Sequence, residues 1–177
     1  MRVKRFTNIT KPVVVFIGIL ALLLASAAAC GGKPEPTVTV YYQIGQRAQT
    51  SREILTVVST EKTAKYTVGG VINALLYTWV EAPPTMQFII VEVSVINTGQ
   101  GTLSVSNKDF SLKDSEGREY PTAAYKGSNN YGHKKLSTGE TNWGYIAFTV
   151  PDIATGFELS CVLQGSTPVL GVWQLPY

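Results

Sequence analysis

From residue 37 onward, apolar and polar side chains alternate with a period of two, the pattern of strands with one buried face. In Phe88 to Ile96 the odd positions Ile89, Val91, Val93 and Val95 are all aliphatic, while the even ones mix Phe88 and Ile90 with Glu92 and Ser94. The same alternation predicts a strand carrying Val38, Val40, Tyr42 and Ile44, a second around Ile54 to Val58, and short ones carrying Leu103 with Val105 and Phe110 with Leu112. Later, Ile146, Phe148 and Val150 share a face, followed by strands over Phe157 to Leu163 and Val169 to Leu175. Turn-forming residues stand between them at hairpin spacing: Asn97-Thr98-Gly99, Asp114 to Gly117, Ser137-Thr138-Gly139, Pro151-Asp152 and Gly165-Ser166. About seven to nine short strands with such turns predict an all-β fold, an antiparallel sandwich over residues 38–177.

One segment breaks the alternation. Val71, Ile72, Leu75, Leu76 and Trp79 follow the spacing of an amphipathic helix between Gly69-Gly70 and Pro83-Pro84. Val, Ile, Tyr and Trp also favour strands, so Val71 to Val80 reads as either. Exposed, it would form an apolar patch that marks a partner site; buried, it would cover an open end of the sandwich.

Residues 1–29 read as a secretory signal, with a basic region to Lys11, an apolar run from Val13 to Leu24 and small residues from Ala25 to Ala29. The ending Ser26-Ala27-Ala28-Ala29-Cys30 resembles the lipobox of prokaryotic lipoproteins, with Ala27 where leucine is usual. The resemblance implies a diacylglyceryl group on the Cys30 thiol, a membrane anchor at the outer face of the cell membrane. An uncleaved membrane anchor and ordinary cleavage with a free Cys30 are the alternatives, and all three place the body outside the cytoplasm. Residues 30–37, with Gly31-Gly32 followed by Pro34 and Pro36, read as a tether. Cys161 shares a strand face with Phe157, Leu159 and Leu163, which predicts a buried thiol.

Removing the leader changes the charge. The whole chain carries 15 Lys and Arg against 12 Asp and Glu, but four of the bases lie in the leader, leaving 11 − 12 = −1. A nearly neutral body argues against a nucleic-acid partner. A single histidine leaves Ser-His and Cys-His nucleophile systems little to work with. It also defeats a blue-copper site built on Met86, His133 and Cys161, which needs two histidines. Asp114, Glu116 and Glu119 read either as a solvated hairpin or as a hard-cation cluster, though no Asp-x-Asp-x-Asp-Gly loop accompanies them. No cofactor is expected.

Three ordered blocks carry a family resemblance. They are Val91 to Gly99, Phe110 to Tyr120, and Gly139-Glu140 through Gly144 with Phe148 to Pro151. Together they resemble the domain of unknown function 4352 family of prokaryotic secreted and lipid-anchored domains. That resemblance implies an immunoglobulin-like β-sandwich similar to a secreted mycobacterial immunoprotective antigen, and it brings no catalytic residue. The chain departs from the family pattern in Val71 to Val80 and in a long loop, Thr122 to Ser137.

That loop is the candidate site. Tyr125, Asn129, Asn130, Tyr131, His133 and Lys134 give it the composition of a paratope, where Tyr supplies contact area and Asn adaptable hydrogen bonds. Trp143 could extend its surface, together with Tyr145. The expectation is a non-enzymatic lipoprotein at the cell surface, a binding or protein-interaction module for an envelope protein. The alternative is a module for a cell-surface glycan or small solute, with aromatics converging around Asn129 and Asn130.

Overall fold

Aliphatic side chains at every second position let a long strand bury one face completely, and the rest of the fold is assembled around that strand. A computed structural model describes residues 36, 38–68 and 78–177. The leader, Cys30 and residues 71–77 of the helix-or-strand segment therefore lie outside the described residues, as does the tether apart from Pro36. The strands are β1 (Val38–Tyr42), β2 (Arg47–Gln49), β3 (Glu53–Thr63), β4 (Lys65–Val68), β5 (Thr78–Glu81), β6 (Met86–Asn97) and β7 (Leu103–Ser106). A 3-10 turn, Asn107–Asp109, leads to β8 (Phe110–Lys113), β9 (Glu119–Tyr120), β10 (Thr122–Ala123), β11 (His133–Leu136), β12 (Thr141–Pro151), β13 (Glu158–Leu163) and β14 (Val169–Gln174).

Two five-stranded sheets carry the core. The first has the order β1-β14-β13-β8-β9 and the second β10-β12-β6-β3-β2. Ile89, Val91, Val93 and Val95 of β6 are at most 1% exposed and face Leu112, Leu159 and Leu163 of the other sheet within one cluster. The predicted sandwich is thus observed, with ten strands in its main sheets because β2, β9 and β10 are edge strands of two or three residues. One pairing differs from the antiparallel expectation: β1 runs parallel to β14, Val38 opposite Val169 and Tyr42 opposite Trp173. That register sets Tyr42 on the Trp173 indole, ring centroids 5.3 Å apart.

The turn residues do what their chemistry allows. Asn97 Oδ1 accepts from Gly99 N at 3.0 Å, and its Nδ2 donates to the carbonyls of Gly101 and Leu136, tying two turns together. Asp114 is buried and accepts from Glu116 N, Arg118 N, Arg118 Nε and the Tyr120 hydroxyl. Burial would raise its pKa, but the hydrogen bonds from Tyr120 and Arg118 hold the carboxyl well below the usual carboxylate range. Glu116 pairs with Arg118 and Glu119 with Lys113, so this hairpin engages all three of its carboxylates internally. Cys161 is buried, as its strand face predicts.

Candidate functional site

The outer face of the second sheet is built by register. Trp143 of β12 stands opposite Ser94 of β6, which stands opposite Thr56 of β3; one step along, Tyr145, Glu92 and Ser59 form the next row. Ser59 Oγ donates to Glu92 Oε2 at 2.9 Å. Two further rows hold Ile90 and Phe88, and there the hairpin of β4 and β5 folds over the sheet. Tyr66 of β4 meets the Phe88 ring edge-on at 5.1 Å and stacks on Tyr125 at 5.0 Å, and Tyr125 leans on Tyr145 at 5.4 Å. Val68, Val80 and Ala82 complete this second apolar cluster. Half of the face is therefore covered. The other half, around Trp143, Ser94, Thr56, Ile54 and Ile96, is covered by no element among the described residues, and Trp143 is 50% exposed.

The segment Thr122 to Ser137 is not one continuous loop. It contains β10 and β11, and between them residues 129–131 run beside β12, with Tyr145 N donating to Asn129 O at 2.8 Å and Tyr131 N to Tyr145 O at 3.1 Å. Its candidate residues divide into three groups. Tyr125, Asn129 and Asn130 lie beside Tyr145, and Asn130 Nδ2 donates to the Tyr125 carbonyl at 3.0 Å. His133 and Lys134 are exposed on β11, paired with β7 away from that aromatic group. Tyr131 is a correction: it is 3% exposed, set edge-on against Phe110 at 5.8 Å, with Asn142 Nδ2 donating to its carbonyl. Its ring is a core side chain because the backbone hydrogen bonds of residues 129–131 with Tyr145 hold the chain against β12 while the ring packs on Phe110. Burial pushes its hydroxyl pKa up. The aromatics do gather beside Asn130, but they pack on one another and fill the space between them.

Gly144 makes this crossing possible, since a Cβ there would overlap Asn129 O and come within 2.8 Å of Tyr131 N. Gly144→Ala is expected to push the 129–131 segment off β12 and destabilise the protein by about 1–3 kcal/mol. Amide exchange at Tyr131 and Tyr145 would accelerate; unchanged protection there would contradict the account. Of the segment Val71 to Val80, the described part belongs to β5, where Trp79 is half-exposed beneath the Lys65 ammonium, 4.8 Å from the ring centroid.

A buried acid was missed at the sequence level. Glu53 begins β3 at an inward position, in line with Leu55 and Val57, and is 4% exposed. It lines a cavity of about 10 Å³ with Tyr131, Asp109, Cys161 and Gln164, about the size of one water. Its carboxylate accepts from Gln164 N. Burial, opposed by that hydrogen bond and reinforced by Asp109, pushes its pKa up to about 7. The available signal was a Glu two residues before an aliphatic alternation, where a polar strand end was the simpler reading.

The geometry defines a two-sheet β-sandwich with one partly uncovered outer face. The chain belongs to the domain of unknown function DUF4352 family, whose profile matches residues 39–167. No curated protein matches the sequence. Among solved structures it is similar to a candidate lipoprotein from Bacillus subtilis, at 15% identity and a TM-score of 0.54 over 73% of this chain, which spans 38% of that protein. It is also similar to an uncharacterized β-sandwich protein from Clostridium difficile, at 16% identity and a TM-score of 0.51, covering 81% of this chain and 99% of the other. The secreted protein MPT63 of Mycobacterium tuberculosis aligns over 78% of this chain and 99% of its own at 14% identity and a TM-score of 0.47. Among the described residues no helix is long and apolar enough to cross a membrane.

Proposed function

We propose that this chain is a lipid-anchored extracytoplasmic protein whose sandwich acts as a non-enzymatic docking module for an envelope protein. Its contact surface is the open half of the outer sheet face. The observation that carries the reading is Trp143, a half-exposed indole on a strand held rigidly in the sheet by β6. Tryptophan is prominent among residues that dominate binding energy, and a fixed strand presents it at little entropic cost. Ile54 and Ile96, half-buried on the same face, widen the apolar area. The cluster of Tyr66, Tyr125 and Tyr145 is packed solid beside it, favouring a flat surface over a cleft. The leader pattern at Cys30 supports the anchor, and the similar Bacillus subtilis chain is itself a candidate lipoprotein.

A glycan is the second reading, favoured by the hydroxyls of Ser94 and Thr56 in the Trp143 row, which suit a sugar ring stacked on the indole. A photo-crosslinker at Thr141, exposed on the same strand face, separates the two in living cells, with exposed Lys113 as control. The expected result is a discrete protein adduct from Thr141 alone, abolished by Trp143→Ala. That variant should bind at least about 10-fold more weakly while its stability changes by no more than about 0.5 kcal/mol. No adduct, with Trp143-dependent retention on purified wall polysaccharide, would select the glycan. Neither result would remove Trp143 as a contact residue.

A further inference from the structure

The two ends of the sandwich differ in charge. Val38, which opens β1, pairs with Val169 of β14, and Val169 pairs with Leu163 of β13. One residue on, Gln164 Nε2 donates to the Ser104 carbonyl of β7 at 3.2 Å, and Ser104 pairs with Lys135 of β11. This chain of contacts places β11 near the end at which β1 starts. His133, Lys134 and Lys135 are exposed there. Lys108, exposed on the 3-10 turn, joins them because Asn107 N donates to Gly132 O at 2.9 Å. Arg52 reaches the same end and donates to Thr102 O at 2.7 Å.

Three acids share this end. Asp109 accepts from Ser106 N, Glu140 accepts from Ser137 N and faces Lys134, and Glu53 is buried behind them. At the surface, four permanent positive charges thus oppose two negative ones. The far end has the opposite bias: Lys113 is paired to Glu119, Arg118 to Asp114 and Glu116, and Asp152 and Glu158 add negative charge. Lys62, also at that end, donates to the Asp152 and Ala154 carbonyls.

We propose that the β1 end, centred on Lys108, Lys134 and Lys135, rests against a bilayer carrying anionic headgroups, with the acidic end pointing away. The proposal rests on the reading of Cys30 as the lipid-bearing residue. Seven residues lie between Cys30 and Val38, eight Cα-to-Cα steps in all, and a fully extended chain of eight steps spans at most about 29 Å. The tether therefore confines the body near the surface, and the charge asymmetry selects which end meets it. Each Lys or Arg near an anionic surface strengthens the contact about 5-fold, and salt weakens it because screening acts within about 10 Å. Val38, half-exposed and first in β1, adds an apolar contact at the same end.

The mature lipidated protein, reconstituted into vesicles, tests this. A fluorophore is placed at Thr102→Cys, on the β1 end, or at Ser115→Cys, on the far end; both sites are exposed and Cys161 is buried. In phosphatidylglycerol-rich vesicles at low salt, the Thr102 label is expected to be quenched several-fold less by acrylamide than in phosphatidylcholine vesicles. The Ser115 label should be equally open in both. High salt, or Lys108→Glu with Lys134→Glu and Lys135→Glu, should abolish the protection, with the thermal midpoint showing that the triple variant remains folded. Equal quenching of the Thr102 label in both vesicles, or protection of Ser115 instead, overturns the orientation. Anchoring is read separately by flotation and by the mass of the Cys30 peptide. A protein that fails to float with either vesicle overturns the anchor and the orientation with it.

Discussion

Trp173→Ala is expected to destabilise the sandwich by about 3–5 kcal/mol, the cost of emptying a fully buried indole site. Trp173 is 0% exposed and stacks on Tyr42, so its loss also loosens β1 from β14. Gly171 shapes the site: a Cβ there would stand 2.7 Å from the indole Cη2 atom. Collapse of the neighbours into the hole is limited by the two sheets. The thermal midpoint should fall by roughly 10 °C or more for a domain of this size. Trp173→Phe separates packing from polarity. The indole Nε1 is buried with no hydrogen-bond partner among the described residues, and an unsatisfied buried donor costs about 1–3 kcal/mol. Phenylalanine keeps an aromatic ring while removing that donor, so its penalty should be less than half that of alanine. Equal losses from both variants would refute this division.

Glu53→Gln is expected to make the protein more stable than the parent above pH 7 by up to about 3 kcal/mol, with little difference near pH 4.5. The sign follows from the direction of the shift. The folded-state pKa of about 7 lies above the ordinary glutamate value of 4.5, so the folded protein prefers the protonated acid. Stability is then greatest below pH 4.5 as far as this group is concerned, and declines as pH rises from 4.5 to 7. Glutamine cannot ionise, yet it keeps an oxygen for Gln164 N, so the link from β3 to the turn after β13 survives. Asp114 acts in the other direction, because its lowered pKa gives stability that is lost as pH falls below the usual carboxylate range. Together they predict a stability maximum near pH 4–5 in urea titrations. A variant with the same slope as the parent between pH 5 and 8 would show that Glu53 is not the titrating group.

The long strands were legible because burial on one face imposes strict alternation, as in Ile89 to Val95, and because Asn97 and Gly117 occupy turns their chemistry favours. The parallel docking of β1 was not legible, since a strand's own sequence does not reveal the direction of its neighbour. Phe88 and Ile90 looked like exceptions on the outward face; their burial depends on β4 and β5, elements too short to announce themselves. The candidate loop misled for a related reason. Its composition of Tyr, Asn and Lys described a surface segment, while backbone bonds to Tyr145 and packing on Phe110 decided that Tyr131 is interior. Trp143 stayed outside because it lies on the opposite face of β12 from Ile146 and Phe148.

The pairing of β1 with β14 has a consequence for folding order. Val38 and Val169 are neighbours although 169 − 38 = 131 residues separate them. Contacts so distant along a chain form slowly, because the entropy of closing the loop must be met before the contact stabilises anything. For a chain delivered from its N-terminus, β1 has no strand partner among the described residues until β14 emerges. A molecule interrupted before Val169 leaves Tyr42 without Trp173 and exposes an unpaired strand edge, a natural substrate for proteolysis or aggregation. Completion of this β-sandwich thus doubles as a check that the chain has been delivered through β14.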